Sequence, residues 1–180
     1  TFFIKLIFST REQMESDEYY MSLALKEAKM AYSEDEVPVG AVLVAPDGGI
    51  LAVAHNSSEH GLHALAHAET VALSIGAISL EQKRLWDCSL YVTLEPCAMC
   101  AAAISFMRIK RLVYGAANPK GGAVENGVRF YDSPTCNHRP EVVAGVMAKE
   151  CGEIMSKFFA QKRAEEGEDD EEDEEKDLSI

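Results

Sequence analysis

Segments of two periodicities alternate along this chain, and no other feature constrains its fold as much. Asp17 to Ser33 carries Met21, Leu25 and Ala28 at helical spacing, and Ser16 stands where an N-cap belongs. Val39 to Ala45 and Ile50 to His55 are β-rich runs on either side of an Asp47-Gly48-Gly49 turn, which predicts a hairpin. A helix is expected over about Ala66 to Leu80 and a strand over Leu90 to Leu94. Another helix is expected over Ala98 to Phe106, with Pro96 at its start. Strands over Arg111 to Gly115 and Val142 to Val146 and a final helix over Ala148 to Arg163 complete the set. Residues 117–140 are rich in Gly, Pro, Asn and charge and read as a long surface loop. The order predicts an α/β fold, a three-layer α/β/α arrangement with a central mixed five-stranded sheet.

Charge divides the chain. The net charge is −13 over 180 residues, but Glu165 to Asp177 alone holds 11 acids and 1 lysine. The remainder carries 19 acids against 16 bases and is nearly neutral. The expected organisation is an N-terminal extension over residues 1–13, one domain over 14–164 and an acidic tail over 165–180. The tail is too polar to bury apolar surface and is expected to be disordered. It is read as a solubility tail, or else as a mimic of nucleic acid competing for a basic surface. The opening residues, TFFIKLIFST, have a short apolar stretch, one base and no small-residue cleavage site. No apolar run reaches the roughly 18 residues of a membrane span. Five cysteines, an odd number, argue against a disulfide framework and for a reducing, cytoplasmic setting.

The chemistry concentrates in His67-Ala68-Glu69 and, 30 residues after His67, Pro96-Cys97-Ala98-Met99-Cys100. Two cysteines three apart at a helix start aim both sulfurs at one point, where exposed N–H groups and the helix dipole favour thiolate. His67 at another helix start would complete a three-ligand set for one zinc ion per chain. Three protein ligands leave the fourth position open, which is the catalytic form of a zinc site. Zinc there would lower the pKa of a water toward 7. Glu69 is placed beside such a metal without ligating it, as an acid that takes and returns protons. Cys88, Cys136 and Cys151 are read as buried or incidental, and His55, His60 and His63 as surface or locally bonded residues.

His-x-Glu followed by Pro-Cys-x-x-Cys is the signature of zinc nucleobase deaminases, a group in which tRNA-acting adenosine deaminases are a known case. The chain resembles the bacterial tRNA adenosine deaminases of the cytidine deaminase-like superfamily well beyond that signature. Val37-Pro38-Val39-Gly40-Ala41-Val42, Thr93-Leu94-Glu95 through Ala101, Arg108-Ile109, Val113-Tyr114-Gly115-Ala116, Asn137-His138-Arg139 and Phe158-Phe159 all match, over about residues 14–163. The resemblance implies a cytidine deaminase-like fold, hydrolysis of adenosine to inosine at the wobble position of a tRNA anticodon, and a homodimer. It also implies that Asn56 hydrogen-bonds the flipped nucleoside, that Val37 and the backbone of Ala66 line the base pocket, and that backbone near Glu95 and Cys97 holds the attacked centre. Phe158 and Phe159 would shape the nucleotide groove, although adjacent residues on a helix diverge by about 100°. Lys120, Arg129, His138 and Arg139 are candidate phosphate contacts.

Two departures stand out. Where the family has Asp-Pro-Thr-Ala before the metal histidine, this chain has His63-Ala64-Leu65-Ala66. Asn118 stands where many members have Asp, at a position that approaches the substrate ribose and phosphate, and a neutral amide there would relax the preference for RNA over DNA. Two rival readings share the motif. One is a deaminase of a free base or nucleotide, such as guanine or cytosine. The other is a non-catalytic RNA-binding zinc subunit, which should lack an acid at Glu69.

Overall fold

In the computed structural model, which describes residues 15–177 and the side chains of residues 15–165, five strands form one sheet. They are β1 (Gly40–Val44), β2 (Ile50–His55), β3 (Ser89–Leu94), β4 (Arg111–Ala116) and β5 (Glu141–Ala144), in the order β2-β1-β3-β4-β5. β1 runs antiparallel to both β2 and β3, while β3, β4 and β5 are parallel. The mixed sheet lies between α1 (Asp17–Ser33) and α4 (Ala148–Asp177) on one face and α2 (Ala68–Ser79) and α3 (Ala98–Met107) on the other.

The strand period of two produces this layering. Ala41 and Leu43 of β1, Leu90 and Val92 of β3 and Leu112 and Tyr114 of β4 pack with Ala72 and Leu73 of α2 and Ala101 and Ile104 of α3. The intervening Val42, Val44, Tyr91 and Val113 pack with Met21, Ala24 and Leu25 of α1 and Cys151 of α4. Each such valine, leucine or isoleucine contributes roughly 1.5–3 kcal/mol by leaving water. The layers are in close contact at Gly40, where a Cβ would lie 2.6 Å from the Ala28 backbone nitrogen of α1.

Ser16 does cap α1, its hydroxyl accepting from the Tyr19 N–H at 3.2 Å. The next residue ties that helix to the sheet. Asp17 takes a bidentate grip from the Arg111 guanidinium of β4, at 2.6 and 2.8 Å, and accepts from the Tyr91 hydroxyl of β3 at 2.9 Å. The Arg111 hydrogen bond, outweighing burial, holds the Asp17 carboxyl below the usual range. A depressed carboxylate pKa stabilises the fold above the unfolded value of about 3.9 and ceases to do so as pH falls through the folded value. We expect Asp17→Asn to cost about 1–3 kcal/mol at pH 7 in urea denaturation. The gap to the unsubstituted protein should close as pH drops below 4; a gap independent of pH would contradict this.

Three expectations are corrected. β5 ends at Ala144, not Val146, because Gly145 (φ 86°) and Met147 (φ 53°) turn the chain into the left-handed region and out of the ladder. The 117–140 segment is not a plain surface loop. It contains a 3₁₀ turn, Phe130–Asp132, and buries Ala123, Val124 and Tyr131 in the core under α3. The last helix does not stop at Arg163, and its backbone runs on to Asp177. Residues 1–13 lie outside the described residues. Among the described residues no helix is long and apolar enough to cross a membrane.

Candidate active site

His67 and Cys97 occupy equivalent places. Each is an N-cap in extended backbone, His67 before α2 and Cys97 before α3, and neither spends its side chain on its helix. Asn56, at the end of β2, does that work for α2, its side-chain oxygen accepting from the Ala68 N–H at 2.9 Å. Both side chains are thus free to turn toward Cys100 in the first turn of α3. The His67 Nδ1 lies 3.7 Å from the Cys97 sulfur and 3.5 Å from the Cys100 sulfur. One ligand atom from each of the three residues falls within 4.8 Å of the others.

Two thiols this close compete for one charge. A hydrogen bond from Cys100, with further help from His67 against the cost of burial, pulls the Cys97 thiol down to about 4, while Cys100 is pushed up. A divalent cation would let both sulfurs be deprotonated. An imidazole and two thiols are the donor set that suits zinc. Among the described residues no fourth His, Cys, Asp or Glu joins the group. Glu69 is almost fully buried in the first turn of α2, and burial pushes its carboxyl up to about 7.

These groups open onto a cavity of about 550 Å³ at the end of the sheet where β1 begins and β3 ends. His67, Glu69 and Cys97 line it together with Val37, Asn56, Leu94, Asn118, Lys120, Met155 and Phe159. The sequence-derived candidates separate here. The Asn56 oxygen is engaged with Ala68, which leaves its amide nitrogen to face a ligand. Asn118 likewise spends its side-chain oxygen on the Gly121 N–H, at 3.0 Å. Ala66 is not among the residues that line the cavity, and its backbone is engaged locally, the carbonyl accepting from the Ser57 N–H and the N–H donating to the His63 carbonyl. The phenylalanine pair splits. Phe159 is 43% exposed and lines the cavity, whereas Phe158 is buried edge-on against Tyr32 of α1. Of the four candidate phosphate contacts only Lys120 borders the cavity. Arg129 is paired with Asp132 at 2.8 Å, and the His138 ring is bonded to the Ile109 carbonyl. Cys88 and Cys151 are buried away from the metal group.

Two buried carboxylates escaped the sequence reading as site residues. Glu36 and Glu95 are each 1% exposed, and both line the cavity. Burial alone would raise the Glu95 carboxyl, but hydrogen bonds from Asn118 and Asn126 outweigh it and leave it low. The available signal was an acid within two residues of a proline at the edge of an apolar strand, in Glu36-Val37-Pro38 and Glu95-Pro96.

The sequence pattern of the cytidine and deoxycytidylate deaminase zinc-binding region matches residues 14–116. A tRNA-specific adenosine deaminase of Agrobacterium fabrum is 51% identical over 148 residues, spanning 82% of this chain and 97% of the relative. The chain belongs to the tRNA-specific adenosine deaminase family. The Bacillus subtilis member is 45% identical over 150 residues, covering 83% of this chain and 92% of its own length. A solved structure from a study of A-to-I editing by tRNA:A34 deaminases at the wobble position superposes with a TM-score of 0.74. It is 53% identical and covers 76% of this chain and 98% of the other. A guanine deaminase from Nitrosomonas europaea shares the fold at 20% identity, with a TM-score of 0.72 over 83% of this chain and 90% of its own.

Proposed function

We propose that this chain hydrolyses adenosine to inosine at the wobble position of a tRNA anticodon, with one zinc ion per chain held by His67, Cys97 and Cys100. The observation that carries the reading is the meeting of those three residues and the buried Glu69 at one end of a cavity large enough for a nucleoside. Zinc, when bound with one position open, supplies Lewis-acid activation of a water molecule at neutral pH. Glu69 takes a proton from the attacking water and delivers protons to the ring nitrogen and to the departing amine, so that adenosine and water become inosine and ammonia. Val37, Leu94, Met155 and Phe159 offer apolar surface to the extruded base, and the Asn56 amide nitrogen offers it a donor. Lys120 at the rim meets phosphate, an attraction that weakens with added salt.

The family relationship supports tRNA over a free base as substrate. Sequencing of unmodified tRNA after treatment with the purified protein, scoring inosine at each adenosine, tests this. Conversion confined to the wobble position is expected, with free guanine and cytosine unchanged; rapid turnover of a free base and none of tRNA would reverse the assignment. A homodimer is part of the proposal. Ile75 and Ile78 of α2 and Phe106 of α3 are exposed apolar side chains on one layer, of the kind a second copy would cover. A tRNA substrate and five free cysteines fit a cytoplasmic setting.

A further inference from the structure

We propose that Glu36 and Glu95 are paired positioning residues that hold two walls of the cavity in the shape that receives the substrate. The proposal rests on the deaminase reading above for what the cavity binds. Glu95 follows β3 and Glu36 precedes β1, and these strands are antiparallel neighbours, so both carboxylates leave the sheet at the cavity end. Each is saturated with donors from one segment. Glu95 accepts from the backbone N–H groups of Asn118 at 2.9 Å, Val124 at 3.1 Å, and Glu125 and Asn126 at 2.9 Å, and from the Asn126 side-chain amide at 2.6 Å. Glu36 accepts from the N–H groups of Ser58 at 3.1 Å and of Glu59 and His60 at 2.8 Å.

The first segment presents Asn118, Lys120 and Gly121 to the cavity, and the second presents Ser58 and Glu59. Neither belongs to a helix or to the sheet, so their N–H groups have no ladder to satisfy them. A single carboxylate gathers each set, and the chain closes tightly around it. At Gly122 a Cβ would stand 2.5 Å from the Glu95 carboxyl carbon and 2.6 Å from the Asn118 carbonyl oxygen. All eight partners are donors, so only an acceptor on both arms fits either place. A glutamine has the same shape but turns one arm into a donor facing donors.

The test compares Glu95→Gln and Glu36→Gln with the unsubstituted zinc protein, using an anticodon stem-loop RNA. For each variant we expect KM to rise about tenfold, kcat to stay within about threefold and zinc content to stay unchanged, because the binding walls move while the reacting groups do not. Amide hydrogen exchange should accelerate at least about tenfold over residues 118–126 in Glu95→Gln alone and over residues 58–60 in Glu36→Gln alone. Unchanged exchange, or a fall in kcat accompanied by zinc loss, would overturn the proposal. Should Glu95→Gln fail to fold, Asn126→Ala removes one donor and is expected to raise KM about threefold with a smaller change in exchange over the same residues; no change in either would equally overturn it. If the unsubstituted protein deaminates no RNA, the functional reading fails, while the exchange pattern still decides the role of the two carboxylates.

Discussion

Glu69→Gln is expected to lower deamination of tRNA by about 10²–10⁴-fold while zinc content stays at the level of the unsubstituted protein. Glutamine fills the same volume and keeps one acceptor, but it cannot take a proton from water and return it. The side chain is 3% exposed, so bulk water has little access through which to replace it as proton carrier. The substitution also removes a buried ionisable group whose carboxyl is pushed up to about 7 by burial, so thermal stability of the metal-free protein should not fall. Rate, zinc content and melting temperature together separate lost chemistry from lost structure. Full activity in this variant would exclude Glu69 as the proton carrier.

Cys100→Ser should be more damaging, because it affects binding of the metal as well as the reaction. Cys100 is fully buried, and its sulfur sits 3.5 Å from the His67 Nδ1. A serine hydroxyl is a poor ligand for zinc, which prefers deprotonated sulfur, and only two good ligands remain. Activity is expected to fall by at least about 10²-fold, matching the unsubstituted protein after chelation. A ligand that binds only the folded state stabilises it by about 4 kcal/mol at a thousand times its dissociation constant. Added zinc should therefore raise the melting temperature of the metal-free unsubstituted protein and leave that of Cys100→Ser almost unmoved. Equal shifts for both would show that the metal binds elsewhere.

The reaction class was legible because it depends on residue identity at short spacing. His67-x-Glu69 and Cys97-x-x-Cys100 each occupy one helix start, where the local backbone turns their side chains together whatever the rest of the chain does. The same locality made the strands readable. Alternation in β1, β3 and β4 assigns each side chain to one of two layers without reference to a partner. The outer wall of the site was not legible in this way. Phe158 and Phe159 are chemically identical neighbours, and only the packing of α4 against Tyr32 buries one and opens the other to the cavity. Lys120, Arg129 and His138 carry similar chemistry in one segment, yet Asp132 and the Ile109 carbonyl engage two of them.

The alternation that opened the sequence reading thus determined the layers and strand count, and the two short motifs determined the metal group, because both are encoded within a turn or a strand. The tertiary structure alone decided the boundary of the cavity. Seven of the eight donors that Glu36 and Glu95 meet, 22 to 31 residues away, are backbone N–H groups, identical in every residue type but proline. Such partners leave no mark in a sequence, and only the folded chain brings them within 3.1 Å of the carboxylates they satisfy.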